Sequence, residues 1–176
     1  MFTKNFKNLM VKNLLNANAS GVNQSFPKDI KSEYYDINGE LVVGMAVPTT
    51  QSTAVALASA LSDTLKTTSG TNNSSWLVIG TGTGAVSEND YCLFNQDSNC
   101  TCVSAASSTT SNLTKSYTAT FQNNSESDVT ITETGIVGYV YIYNNFFTIL
   151  LEHALLETPV IIPAGETRTI TYVWSF

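Results

Sequence analysis

The chain has 176 residues, a net charge of −6 and a charged fraction of only 12%, about half the usual share. Eight Lys+Arg against fourteen Asp+Glu leave no footprint for a phosphate backbone, and no run reaches the ~18–20 apolar residues that cross a bilayer, so neither nucleic acid nor membrane is expected as a partner. The length suits one domain with a real core, and Ser, Thr and Asn carry the polarity, which favours β-surfaces and turns over helical salt-bridge faces.

Residues 1–24 read as an N-terminal helical arm. Over Lys4 to Asn16 the spacing of Phe6, Leu9, Met10 and Leu14 makes one apolar stripe, and Lys and Asn fill the other side. The stripe either packs on the chain's own core or docks on a neighbouring subunit, because a lone helix of this length is marginal. No continuous apolar stretch of a secretory signal is present, so folding in a cytoplasm is expected. The segment SEYYDINGELVVGMAV predicts a hairpin, with Asn38-Gly39 in a type I′ turn, the first strand ending at Asp36-Ile37 and the second beginning at Leu41. Thr49 to Thr67 predicts an internal helix over about 52–66, with Val55, Leu57, Leu61 and Leu65 on it and Ser52 or Thr53 as its cap.

WLVIG is a short apolar strand, and the Gly80-Thr81-Gly82-Thr83-Gly84 run after it invites comparison with a phosphate loop. The comparison fails. No Gly-Lys-Ser/Thr follows, no third glycine opens a helix at dinucleotide-fold spacing, and Glu88 and Asp90 sit where phosphates would be. A structural turn is expected instead. Cys92, Cys100 and Cys102 are odd in number and lack paired CxxC knuckles. With the single histidine, His153, far away in sequence, they read as three reduced thiols and no metal site. Residues 97–115 are Ser/Thr-rich and predict an exposed loop or an edge hairpin.

From Ser116 onward, SYTATFQN, DVTITETGIV, YVYIYNN, FFTILLEHAL, TPVIIPAG and ETRTITYVWSF alternate apolar and polar positions, the signature of strands with one buried and one wet face. Glu133 stands out as an acid in mid-strand, pointing outward or buried with a partner. His153 reads as an ordinary strand or turn residue. No nucleophile elbow accompanies it, and no two acids can be placed at catalytic distance, so no catalytic residue, metal or cofactor is expected. Tyr139, Tyr141, Tyr143, Phe146 and Phe147 form an aromatic cluster that fills the core or an intersubunit seam, or stacks on sugars.

Three blocks in this order carry a resemblance. WLVIGTGTGAVSENDYCL, VTITETGIVG and LLEHALLETPVIIPAGETRTITYVW resemble the IGTGTTAPSxxDYxL block, the ItItEvGl strand and the pvxvxp-Gexxtity ending of virion structural proteins from tailed bacteriophages and prophages. The likeness runs from about Trp76 to the C-terminus. It implies an Ig-like or jelly-roll-like antiparallel β-sandwich and brings no catalytic residues. The chain departs from it in the Cys-rich stretch after Leu93, the insert YVYIYNNFF, and His153 in place of Arg.

The resulting expectation is a mainly β protein, with one sandwich domain over 25–176 and an N-terminal helical and hairpin extension. It would be a non-enzymatic structural component of a tailed-phage virion, at the head, neck or tail surface, assembled in the bacterial host cytoplasm as a homo-oligomer with other virion proteins. The alternative is a fibre-tip or decoration module that binds a host glycan or receptor. Phe6, Leu9, Met10, Leu14, Tyr139, Tyr141 and Tyr143 are the candidate subunit or partner contacts.

Overall fold

The computed structural model describes residues 1–8, 31–45, 76–110, 114–142 and 145–175. They form a mostly β structure with one helical turn over 4–8. The strands are β1 (Lys31–Tyr35), β2 (Leu41–Met45), β3 (Trp76–Gly80), β4 (Cys100–Thr110), β5 (Thr114–Asn123), β6 (Val129–Ile142), β7 (Asn145–Ile162) and β8 (Thr167–Ser175). They pair antiparallel in three sheets, β1-β2, β3-β6-β7 and β4-β5-β8. Among the described residues no helix is long and apolar enough to cross a membrane.

The predicted runs are present, but fewer strands hold them. Residues 129–142 make one strand and 145–162 another, with register shifts between Ile131 and Glu133 and between Ile136 and Val137. A bulge absorbs one residue and lets a long strand bend without ending, so sequence irregularities that resemble turns are bulges here. Residues 97–115 contain an edge hairpin and not an exposed loop: β4 pairs with β5 from Cys100↔Asn123 to Thr110↔Thr114. The turn of the first hairpin also begins earlier than predicted. Gly39 N–H donates to Asp36 C=O at 2.9 Å, and Gly39 has φ 80°. Ile37 and Asn38 are therefore the central residues, followed by a left-handed glycine. The Asp36 carboxylate accepts the N–H of Asn38 at 2.9 Å and of Glu40 at 2.8 Å, and this fixes the start of the turn. The helix expected over 52–66 lies outside the described residues.

The main core gathers side chains from both three-stranded sheets. Leu77, Ile79, Ile136, Ile149 and Leu151 come from one, Tyr117, Ala119, Phe121 and Ile170 from the other, and Tyr34 and Phe6 join them. A second, smaller cluster of Val78, Leu93, Val137 and Leu150 lies apart from it. Val78 and Leu150 alternate with core residues along β3 and β7, so over this stretch sheet β3-β6-β7 is buried on both faces, while Leu155 and Ile161 further along β7 are exposed. Its second face is covered by the loop 81–99, through Leu93.

Both edges of that sheet are capped. The loop returns along β3, with a bridge Gly80↔Gln96 and the bonds Thr81 N–H to Asn95 C=O (2.9 Å) and Asp97 N–H to Ile79 C=O (3.0 Å). On the other side Phe2 bridges Glu152, Thr3 N–H donates to Leu151 C=O and His153 N–H donates to Met1 C=O, each at 3.1 Å. Residues 1–8 are thus part of the domain. Phe6 stacks on Phe2 with ring centroids 4.5 Å apart, and Thr3 is fully buried. Of the two fates open to the apolar stripe, Phe6 takes the first, packing on the chain's own core.

Candidate functional site

The residues that the sequence resemblance singles out converge on one buried polar cluster. Glu133 projects from β6 and His153 from β7, and both are fully buried. The Glu133 carboxylate accepts the backbone N–H of Gly82 (2.9 Å), Phe94 (3.0 Å) and Asn95 (2.8 Å). Its Oε2 also lies 2.8 Å from His153 Nε2. On the other side of the ring, Nδ1 lies 2.6 Å from Asp90 Oδ2, which in turn accepts Ser87 N–H at 2.9 Å. The Phe94 ring tilts over the imidazole with centroids 4.7 Å apart.

Burial pushes the Glu133 carboxyl up, but the bonds from Asn95, Phe94, His153 and Gly82 outweigh it and hold the group below the ordinary carboxylate range. An ionised Glu133 makes His153 Nε2–H the donor. With Asp90 also ionised, both ring nitrogens must carry hydrogen; a neutral ring satisfies the pair only if a carboxyl brings the proton. Either way both nitrogens are engaged by carboxylates. Neither is available to take a proton from a nucleophile, so the trio does not reproduce a nucleophile-histidine-acid relay.

The glycine-rich run now has a physical reason. It gives one N–H, that of Gly82, to the chain's own Glu133, and its glycines leave room for that carboxylate. A Cβ on Gly80 or Gly82 would lie 2.5 Å from Glu133 Oε1, closer than any side chain tolerates. Gly135 faces the same loop, where a Cβ would meet Glu152 C=O at 2.8 Å and the Leu150 and Leu93 side chains. Sequence reading marked Glu133 as out of place in an apolar strand, and that was the usable signal. It gave no partner for His153, whose contacts come from residues 20 and 63 positions away.

Two hollows flank this cluster. One is a polar cleft of about 520 Å³ between residues 95–99 and 127–132, with Asp97 and Asp128 on its walls. Both acids are engaged: Asp97 accepts Cys100 N–H at 2.6 Å and Asp128 accepts Ala164 N–H at 3.2 Å. The other, of about 240 Å³, lies between Tyr35 and Tyr91 over Asn5, Gly39 and Asp90. Among the described residues no group of three or more His, Cys, Asp or Glu could hold a metal ion. The three cysteines are free thiols. Burial pushes each of them up, Cys100 to about 12 with a further contribution from Asp97, so none is a ready nucleophile.

Of the predicted contacts, Phe6 is in the core. Leu9, Met10, Leu14 and Tyr143 lie outside the described residues. The backbones of Tyr139 and Tyr141 sit in β6, opposite Thr148 and Phe146.

The described residues define a mainly β fold whose loop 81–99 is clamped by an internal carboxylate-histidine-carboxylate bridge. Comparison with protein-family models, with curated proteins and with solved structures found no match in any of the three.

Proposed function

We propose that the chain is a non-enzymatic structural component of a tailed-phage virion that works through repeated subunit contacts, with its two three-stranded sheets forming an Ig-like or jelly-roll-like sandwich. The observation that carries this reading is the contrast between the two sheets. Sheet β3-β6-β7 buries Val78, Val137 and Leu150 on its second face and is bridged at each edge, by Gln96 on β3 and by Phe2 on β7. Sheet β4-β5-β8 turns outward the residues Thr101, Ser104, Thr118, Thr120, Gln122, Thr169, Thr171 and Val173, with no charge among them. Thr118 and Thr171 bond through their hydroxyls at 3.0 Å, Thr120 and Thr169 at 2.9 Å. Among the described residues no strand pairs with the outer edge of β4 or β8. Soluble sheets guard such surfaces with charge; an uncharged face of hydroxyls and methyls suits burial against a like surface, and a closed ring or lattice repeats it.

Two of the resemblance blocks support the same reading, because Glu133 of the second meets Gly80 and Gly82 of the first; the third joins them through His153, where the chain departs from the family.

The test is peptide mass spectrometry of purified particles together with the solution mass of the pure protein. The chain is expected in particles at many copies, and Thr171→Lys is expected to lower its self-association while leaving the free energy of unfolding within about 0.5 kcal/mol of wild type. Absence from purified particles overturns the proposal. Removing residues 1–20 is a poor test, since Thr3 and Phe6 belong to the core.

A further inference from the structure

The hollow between Tyr35 and Tyr91 has features that a structural role does not use. Both rings are exposed, 42% and 40%, and neither hydroxyl bonds to a described residue. The Tyr91 ring lies flat enough on the first hairpin that a Cβ at Gly39 would stand 2.9 Å from two of its carbons. The positive φ of Gly39 and its missing side chain thus allow the ring its position. Lys4, Asn5, Glu88, Asn89 and Asp90 complete the lining.

Asp90 links this hollow to the buried cluster. Its Oδ2 is held by His153 Nδ1 and Ser87 N–H, while its Oδ1 bonds to no described residue. The outer end of the Glu133–His153–Asp90 bridge is therefore a lining residue of the hollow, with one carboxylate oxygen left unbonded among the described residues. A ligand-facing side chain whose rotamer is fixed by buried hydrogen-bond partners makes a rigid recognition site.

The chemistry narrows the ligand. Glu88 is paired with Lys7, so the remaining lining charges, Asp90 and Lys4, balance and favour neither an anion nor a cation. The acids are too few for a metal ion. Two amphipathic rings above a carboxylate, an amide and an ammonium match a molecule with apolar C–H faces and a rim of hydroxyls. We propose that this hollow is a binding site for a neutral pyranose sugar. The ring would stack on Tyr91 and Tyr35, and a hydroxyl would donate to Asp90 Oδ1. Asp90 and the tyrosines contact the ligand; His153 and Glu133 act as positioning residues. The proposal goes beyond the structural reading and does not depend on it.

Amide-resolved NMR titration of the full chain with methyl glucoside, methyl galactoside and N-acetylglucosamine, each at millimolar concentration, tests it. At least one sugar is expected to shift signals confined to residues 4–5, 35–39 and 88–91. Tyr91→Ala is expected to weaken that sugar roughly tenfold, and Thr171→Ala, on the far sheet, to leave it unchanged. Should Tyr91→Ala unfold, the exposed rim variants Tyr35→Ala and Asn89→Ala decide the matter in the same way. His153→Gln in a folded protein is expected to weaken binding and to move the Asp90 signal. No shifts with any of the three sugars, shifts mapping to the 520 Å³ cleft, or wild-type binding by the folded rim variants would each overturn the proposal.

Discussion

Glu133 is the residue on which the loop depends. Four donors converge on one buried carboxylate, and exchanging it for an amide puts N–H against N–H at one or more of them. Glu133→Gln is expected to cost about 3–5 kcal/mol, as for other broken buried pairs. That is a fall of more than about 6 °C in the unfolding midpoint for a chain of this size, and differential scanning calorimetry reads it directly. Gly82→Ala attacks the same point from the backbone side. Its Cβ would meet Glu133 Oε1 and Phe94 Cβ at 2.5 Å each, so overpacking of about 1–3 kcal/mol is expected. The two changes share one contact, so their costs in a double variant should fall short of the sum. A plainly additive result would mean that the glycine is required for some other reason.

At the scale of elements, the N-terminal segment and the loop 81–99 do related work on opposite sides of one sheet. Each lays a few residues along an edge strand, and each inserts apolar side chains, Phe6 on one side and Leu93 on the other. The N-terminal segment also ties in the first hairpin. Asn5 exchanges two bonds with the Tyr35 backbone, at 2.7 and 2.8 Å, and Lys7 pairs with Glu88 in the loop. Phe6→Ala is expected to cost about 3–5 kcal/mol. Lys7→Ala, at an exposed ion pair, should cost less than about 1 kcal/mol. Chemical denaturation of the two variants separates a core plug from a surface arm: equal and small losses would return residues 1–8 to the status of an arm. The amphipathic stripe was legible in the sequence, because spacing reports a face. Which partner that face meets depends on where β7 and the hairpin lie.

For the whole molecule, two buried acids act in opposite directions with pH. Glu133 is held below its unfolded range, so its contribution is complete above about pH 4.5 and is lost as pH falls through its folded value. Glu152 is raised, chiefly by burial, against bonds from Tyr172 and the Met1 amine that lower it, and its Oε2 has no partner. It favours the fold below its unfolded range and loses that contribution as pH rises through its folded value. Wild type should therefore lose stability on acidification below about pH 4.5, and Glu133→Gln should lose less over the same interval. Glu152→Gln should raise the unfolding midpoint at pH 7. Parallel curves for wild type and both variants between pH 3 and 7 would rule this account out.

What the sequence alone determined here is local: period-two alternation marks the strands from Ser116 onward, and low charge with abundant Thr marks a β-surface. An acid in the apolar strand TITETGIVG marks a position that needs an explanation. These follow from each residue's own preference and that of its near neighbours. Only the tertiary structure decided that strand runs separated by apparent breaks are continuous, that the glycine run encloses the chain's own carboxylate, and that His153 lies between Glu133 and Asp90. The reason is physical. Desolvating a carboxylate is favourable only when several donors reach it at once, and those donors come from segments dozens of residues apart that the sheets bring within 3 Å.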